Sequence, residues 1–200
     1  LVAINNPYNT NLDRNPANFQ PLTPLTFLER AASVYPNHTA IVHGKLRRNY
    51  SDFYSRSRQL ASALYEQGIA RGDTVSVILS NTPAMLEAHY GVPMCGAVLH
   101  SINTRLDPDT IAYQLDHANS KALIVDREFL KTAKTSLELA GVSPILIEFN
   151  DSEHPIKESL PGAIEYEEFL LKGDKNYNWL MPEDEWDAIS LNYTSGTTGN

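Results

Sequence analysis

Val75-Ser-Val-Ile-Leu79, followed closely by Asn81-Thr-Pro83 and a helical run through Met85, Leu86 and His89, decides the fold class of this chain. A five-residue stretch this apolar has no polar face, so it predicts a strand covered on both sides. The proline directly after it suits the first turn of a helix. The same alternation continues. Ala97–His100 reads as a strand, Asp107-Pro108 as a helix start running through Ile111 and Leu115, and Ala122–Val125 as a strand. A helix over 127–140 follows, with Gly141 expected as its C′ residue, and then a strand at Ile145–Ile147. Strands apolar on both faces that alternate with helices predict an α/β fold with a parallel, helix-flanked sheet.

Upstream, residues 1–21 are rich in Asn and Pro without a period and read as an extended lead-in. Thr23-Pro24 predicts a helix start, with Leu25, Leu28, Ala32 and Tyr35 on one face and Pro36 at its end. Ala40–Val42 and Arg48–Tyr50 form a strand pair turned at Gly44-Lys45. Ser51 is the expected cap of a second helix carrying Phe53, Ser57, Leu60, Ala61 and Leu64, and Gly68 its stop. Downstream, residues 150–187 are polar and acidic, with Pro155, Pro161, Pro182 and a short helix expected near Tyr166–Leu171. They read as a surface excursion or connection between an α/β subdomain at 22–149 and a closing segment at 188–200.

That closing segment carries most of the chemistry. Ile189–Tyr193 predicts a strand that runs directly into Thr194-Ser-Gly-Thr-Thr-Gly199. Gly196 and Gly199 permit a tight turn, and successive backbone N–H groups in such a turn form an anion-binding concavity. Thr194, Ser195, Thr197 and Thr198 add hydroxyls. A surface linker is the rival reading, but an apolar strand leading straight into the loop argues for phosphate. Gly91 to Gly96 has the glycine spacing of a Walker A loop, yet Ala97-Val98 stands where Lys-Ser/Thr is needed. The dinucleotide pattern is absent as well.

Composition limits the alternatives. The chain has 200 residues, 42% of them hydrophobic, with a net charge of −8 that argues against nucleic-acid or anionic-membrane partners. Cys95, the single cysteine, lies in an apolar run and reads as a buried thiol. No apolar run is long enough for a transmembrane helix. The histidines show no metal-ligand spacing. His89 and His117, on helices, read as structural, whereas His100–Asn103 ends a strand on the ligand-facing side of a parallel sheet. Glu183–Glu185 reads as a solvated approach to the last strand, and Arg47-Arg48 is too short for nucleic acid. The chain opens on Leu and stops at Asn200, so it is expected to be a piece of a longer protein.

Tyr193–Gly199 resembles the signature loop of the adenylate-forming (AMP-binding) superfamily, whose pattern continues x-Pro-Lys-Gly. The resemblance extends to Asp187–Tyr193, Asn81–Glu87, Gly91–Val98, Leu99–Leu106 and Ile111–His117, and covers roughly residues 22–200. It points to the acyl-CoA synthetase branch, carboxylate–CoA ligases for fatty or other small acyl acids. It implies the large N-terminal domain of such an enzyme and ATP-dependent formation of an acyl-adenylate with pyrophosphate release. Thioester formation with CoA, releasing AMP, then follows. A different acceptor (a carrier protein or oxygen), or a non-catalytic nucleotide-binding module, are the alternatives. By resemblance, Ser195, Gly196, Thr197, Thr198 and Gly199 bind ATP phosphates, and Thr194 binds nucleotide and helps to ligate Mg2+. No complete catalytic set lies within these residues, so the fragment alone is expected to be inactive. The partner implied is a carboxylic acid, with a homodimer admitted. The cytoplasm is the expected compartment, or the peroxisome if an address signal follows residue 200.

Overall fold

The computed structural model describes residues 7–194. After a 3-10 turn at Pro7–Asn9 come α1 (Leu25–Val34), β1 (Thr39–His43), β2 (Leu46–Asn49), α2 (Tyr50–Glu66), β3 (Thr74–Ile78), α3 (Pro83–Met94) and β4 (Val98–Ser101). They are followed by α4 (Pro108–His117), β5 (Ser120–Asp126), α5 (Leu130–Leu139), β6 (Ile145–Phe149), β7 (Ile164–Glu165), α6 (Tyr166–Leu170) and β8 (Ser190–Leu191). β1 and β2 form a separate antiparallel hairpin, while the other strands make a six-stranded sheet in the order β7-β6-β5-β3-β4-β8. Each pairing in that sheet is parallel.

Central β3 is buried at each of its positions, as its apolar run requires. Its side chains alternate between two cores. Val75 and Val77 join Leu60, Leu64, Ala88, Val92 and Leu99 under α1, α2, α3 and α6. Ile78 joins Leu123, Val125, Ile111, Leu115 and Ala133 under α4 and α5. The α2–α3 contact is close because Gly91 lacks a Cβ. One built there would lie 2.8 Å from both the Ser57 carbonyl oxygen and Leu60 Cδ2. Cys95 is fully buried, and its Sγ donates to the Val92 carbonyl at 3.1 Å. Burial pushes the thiol up to about 12. Since the thiolate is the reactive form, iodoacetamide at pH 8 should leave the folded protein unlabelled. Cys95 should be labelled only after denaturation, as peptide mapping would read, and rapid native labelling of Cys95 would contradict this burial.

Helix boundaries follow local chemistry, with two corrections. Asn49, not Ser51, caps α2: its Oδ1 accepts the Asp52 N–H at 2.8 Å, and Ser51 lies inside the first turn. The α2 stop is as expected. Gly68 adopts φ +85°, with Gly68 N–H to Tyr65 O and Ile69 N–H to Leu64 O closing a Schellman motif. Gly141 is the C′ residue, as expected, directly after the C-cap Ala140, though its φ is not positive. The expected helix over 127–140 divides into a 3-10 turn (Arg127–Phe129) and α5, whose C-terminal Ala140 is extended. Asp116 of α4 takes up the Gly141 N–H at 2.8 Å and the Val142 N–H at 3.0 Å, so a side chain supplies the terminating contact.

The acidic stretch contributes more than its composition suggests. β7 extends the sheet beyond β6, and Tyr166, Phe169 and Leu170 of α6 enter the larger core. Glu185 is solvent-exposed yet accepts the Leu22 N–H at 3.0 Å, and Arg71 pairs with Asp187 at 3.2 Å.

Candidate functional site at the carboxyl edge of the sheet

Parallel sheets present ligand sites outside the carboxyl ends of their strands. Two places there stand out. The first is the switch point, where β4 and β5 flank β3 on opposite sides. A cleft of about 710 Å³ opens there, lined by His43, Ser80, Asp126, Glu128, Asp151 and Glu153 among others. Its acidic lining opposes a polyphosphate. Asp151 is held below the usual carboxylate range: burial works against its charge, but the Glu153 N–H and His43, 2.9 Å away, outweigh it. Burial raises Asp126. Among the described residues no group of three or more His, Cys, Asp or Glu side chains is arranged to hold a metal ion.

The second place is the β4–β8 edge. β8 is shorter than its sequence suggests: only Ser190 and Leu191 pair, opposite Leu99 and His100. Asn192, Tyr193 and Thr194 continue without strand pairing toward the glycine loop. Thr194 is exposed at this carboxyl end. Ser195, Gly196, Thr197, Thr198 and Gly199 lie outside the described residues.

A buried polar chain supports this edge from beneath. Ser120 Oγ of β5 and Ser76 Oγ of β3 are 2.6 Å apart, and Ser76 Oγ lies 2.8 Å from His100 Nδ1 of β4. His100 is fully buried, and burial pulls its imidazole down to about 4, so it is neutral near pH 7. Its Nε2 has no hydrogen-bond partner among the described residues. The His100 ring lies 5.0 Å from the Tyr193 ring, and the Tyr193 hydroxyl is hydrogen-bonded to His117 Nδ1 at 2.6 Å. His100 thus sits below this edge rather than opening onto it, whereas Asn103, beyond β4, is exposed. His117, read from sequence as a structural helix histidine, reaches the residue that precedes Thr194. The two are 76 positions apart, and no local spacing signals the contact.

Residues 28–200 match the family model described as AMP-binding enzyme. The chain belongs to the AMP-binding enzymes. An acetate/butyrate–CoA ligase of the peroxisome from Arabidopsis thaliana is 48% identical over 200 residues, covering 94% of this chain and 35% of the relative. A peroxisomal trans-cinnamate:CoA ligase from Petunia hybrida is 43% identical, covering 91% of this chain and 34% of its own. The fold overlays on the solved anthranilate CoA ligase AuaEII in complex with anthranoyl-AMP with a TM-score of 0.81. That overlay is at 22% identity and covers 90% of this chain and 34% of that one. The chain therefore spans about a third of the length of the curated relatives it matches. No helix among the described residues of this AMP-binding chain is long and apolar enough to cross a membrane.

Proposed function

We propose that the full-length protein is an AMP-forming acid–thiol ligase. In the first step a substrate carboxylate oxygen attacks the α-phosphorus of ATP. The bond to the bridging oxygen breaks, and pyrophosphate leaves as the acyl-adenylate forms. In the second step the CoA sulfur attacks the acyl carbonyl and AMP leaves. The observation that carries this reading is that β8 brings Tyr193 and Thr194, the start of the Tyr193–Gly199 sequence, to the carboxyl edge of a parallel sheet in an AMP-binding chain.

The chemistry suits the sparse set of side chains. Carboxylic acids are ionised at neutral pH, so the first nucleophile needs no general base. Transfer at phosphorus depends on positioning and on neutralising charge around the leaving group. In this reading Ser195, Thr197, Thr198 and the backbone at Gly196 and Gly199 grip the β- and γ-phosphates. Thr194, exposed beside them, suits a hard cation through its hydroxyl oxygen. Mg2+ held there would neutralise phosphate charge. Residues 150–187 would connect the α/β subdomain at 22–149 to the strand and loop at 188–200, and the remaining pockets would come from other parts of the enzyme.

Relatives named for acetate, butyrate, benzoate and cinnamate make short-chain and aromatic acids the substrates to screen. Several of those names place the relatives in peroxisomes, which makes that compartment a proposal for this protein beside the cytoplasm. Acid-dependent ATP–pyrophosphate exchange by the full-length protein is the test. Exchange without CoA, and acyl-CoA with it, is expected. Exchange without thioester would point to another acceptor. ATP binding without exchange for any acid would leave a nucleotide-binding module and overturn the enzyme reading.

A further inference from the structure

The geometry points to His117 and Tyr193 as a clasp that sets the direction in which the chain leaves β8 for the glycine loop. Both are then positioning residues for the ATP-dependent half of the reaction, an inference that rests on the acid-activation reading above.

The backbone ladder cannot do this work alone. Its pairing ends at Leu191, and Asn192 is exposed. Tyr193 is next, immediately before Thr194, and is held by its side chain. Its hydroxyl meets His117 Nδ1 at 2.6 Å, its ring meets the His117 ring edge-on at 5.7 Å, and the His100 ring lies 5.0 Å away.

Both histidines are fixed. His100 is buried and tied through Ser76 to Ser120 across three strands. His117 ends α4, its ring stacked on Tyr113 at 5.6 Å. At the other end of α4, the Asp107 carboxylate accepts the Thr110 N–H at 3.0 Å. The residue before His117, Asp116, is bonded to the start of the segment after α5. The clasp thus joins the rigid α4–sheet layer to the first residue of a loop whose proposed task demands sub-ångström placement. Misplacement by about 1 Å can cost a hundredfold in rate.

The two half-reactions separate this role from general damage. The β- and γ-phosphates are present only in the first, since the acyl-adenylate carries neither. In the full-length enzyme, His117→Ala and Tyr193→Phe should each lower kcat/KM for ATP in acid-dependent pyrophosphate exchange by about 10- to 100-fold. Conversion of synthetic acyl-adenylate and CoA to acyl-CoA should stay within about twofold, because no phosphate grip is then required. The double variant should be little worse than either single one, as expected for partners in one contact. His117→Asn, whose amide nitrogen can take the place of Nδ1, should restore exchange further than His117→Gln. Equal loss in both half-reactions, with His117→Asn no better than His117→Gln, would mark a merely structural contact, and unimpaired exchange in Tyr193→Phe would overturn the clasp. Wild-type enzyme without any exchange would instead overturn the functional reading, and the clasp with it.

Discussion

Glu87→Ala is expected to lower the stability of the fold by about 3–5 kcal/mol, the cost of breaking a buried charge network by removing one partner. Glu87 of α3 is fully buried. Its Oε1 accepts from Arg48 Nη1 and from Arg56 Nε, each at 2.6 Å. Its Oε2 accepts from Tyr166 Oη at 2.8 Å and from Arg56 Nη2 at 3.2 Å. One carboxylate therefore joins β2, α2, α3 and α6. Burial works against the Arg56 charge, but Glu167 and Glu87 together hold the guanidinium above its ordinary value. Burial, reinforced by the Glu87 charge, keeps the Tyr166 hydroxyl protonated well above its usual range. Without Glu87, two guanidiniums would share Glu167, whose side chain is 51% exposed and correspondingly screened. The Tyr166 hydroxyl would be left buried without its acceptor.

Thermal and urea unfolding of the wild type and variant would read this loss directly. At about 2–4 °C per kcal/mol for a domain of this size, the midpoint should fall by roughly 6–20 °C. Glu87→Gln keeps one acceptor oxygen and should lose less. A change below about 1 kcal/mol for Glu87→Ala would mean that solvent reaches the arginines and the network is not buried in effect. The intact pair need not be worth this much, since a well-packed apolar replacement of all partners can be neutral.

The architecture was legible because periodicity reports burial. The runs at 75–79, 97–100, 122–125 and 145–147 are mostly apolar and alternate with helices, the pattern of a covered parallel sheet, and the solved anthranilate ligase shares the fold. Helix starts at Pro83 and Asp107-Pro108 were legible because a first-turn proline and, at Asp107, a capping carboxylate are local signals. The stop at Gly141 was legible too, but the contact that holds it was not. The Gly141 N–H is taken by Asp116, 25 residues earlier, so the terminating contact is tertiary. The site divides in the same way. The proposed glycine loop is a contiguous string, so its proposal could be read without a fold. The support around it is not contiguous: Ser76, His100, Ser120, His117 and Tyr193 come from separate elements, and no window of sequence signals the contacts that join them. Glu87 is a third case, a charge inside a mostly apolar helix whose partners lie 31 to 79 residues away.

Phe169→Ala should cost about 3–5 kcal/mol, the usual range for emptying a large aromatic from a closed core. This result decides how the segment at 150–187 behaves. Its acidity and prolines suggest a surface excursion or connection, in which Phe169 would tolerate truncation. The packing says otherwise. Phe169 and Tyr166 are fully buried, and Leu170 is nearly so, within the core built on α2, α3 and the sheet. Tyr166 meets Phe149 of β6 edge-on at 5.7 Å. α6 has only five residues and would be marginal in isolation. Glu165 caps it, accepting the Glu167 N–H at 2.8 Å and the Glu168 N–H at 3.1 Å, and β7 anchors its start against β6. A short helix fixed at one end and buried on one face gains its order from the core, so loss of its central aromatic should loosen α6 and β7 together. Hydrogen exchange would show this as lost protection across residues 164–170 beyond that of β3, in addition to the fall in unfolding midpoint. Equal protection in wild type and variant, with a stability loss under about 1 kcal/mol, would return the segment to the surface role that its composition suggests.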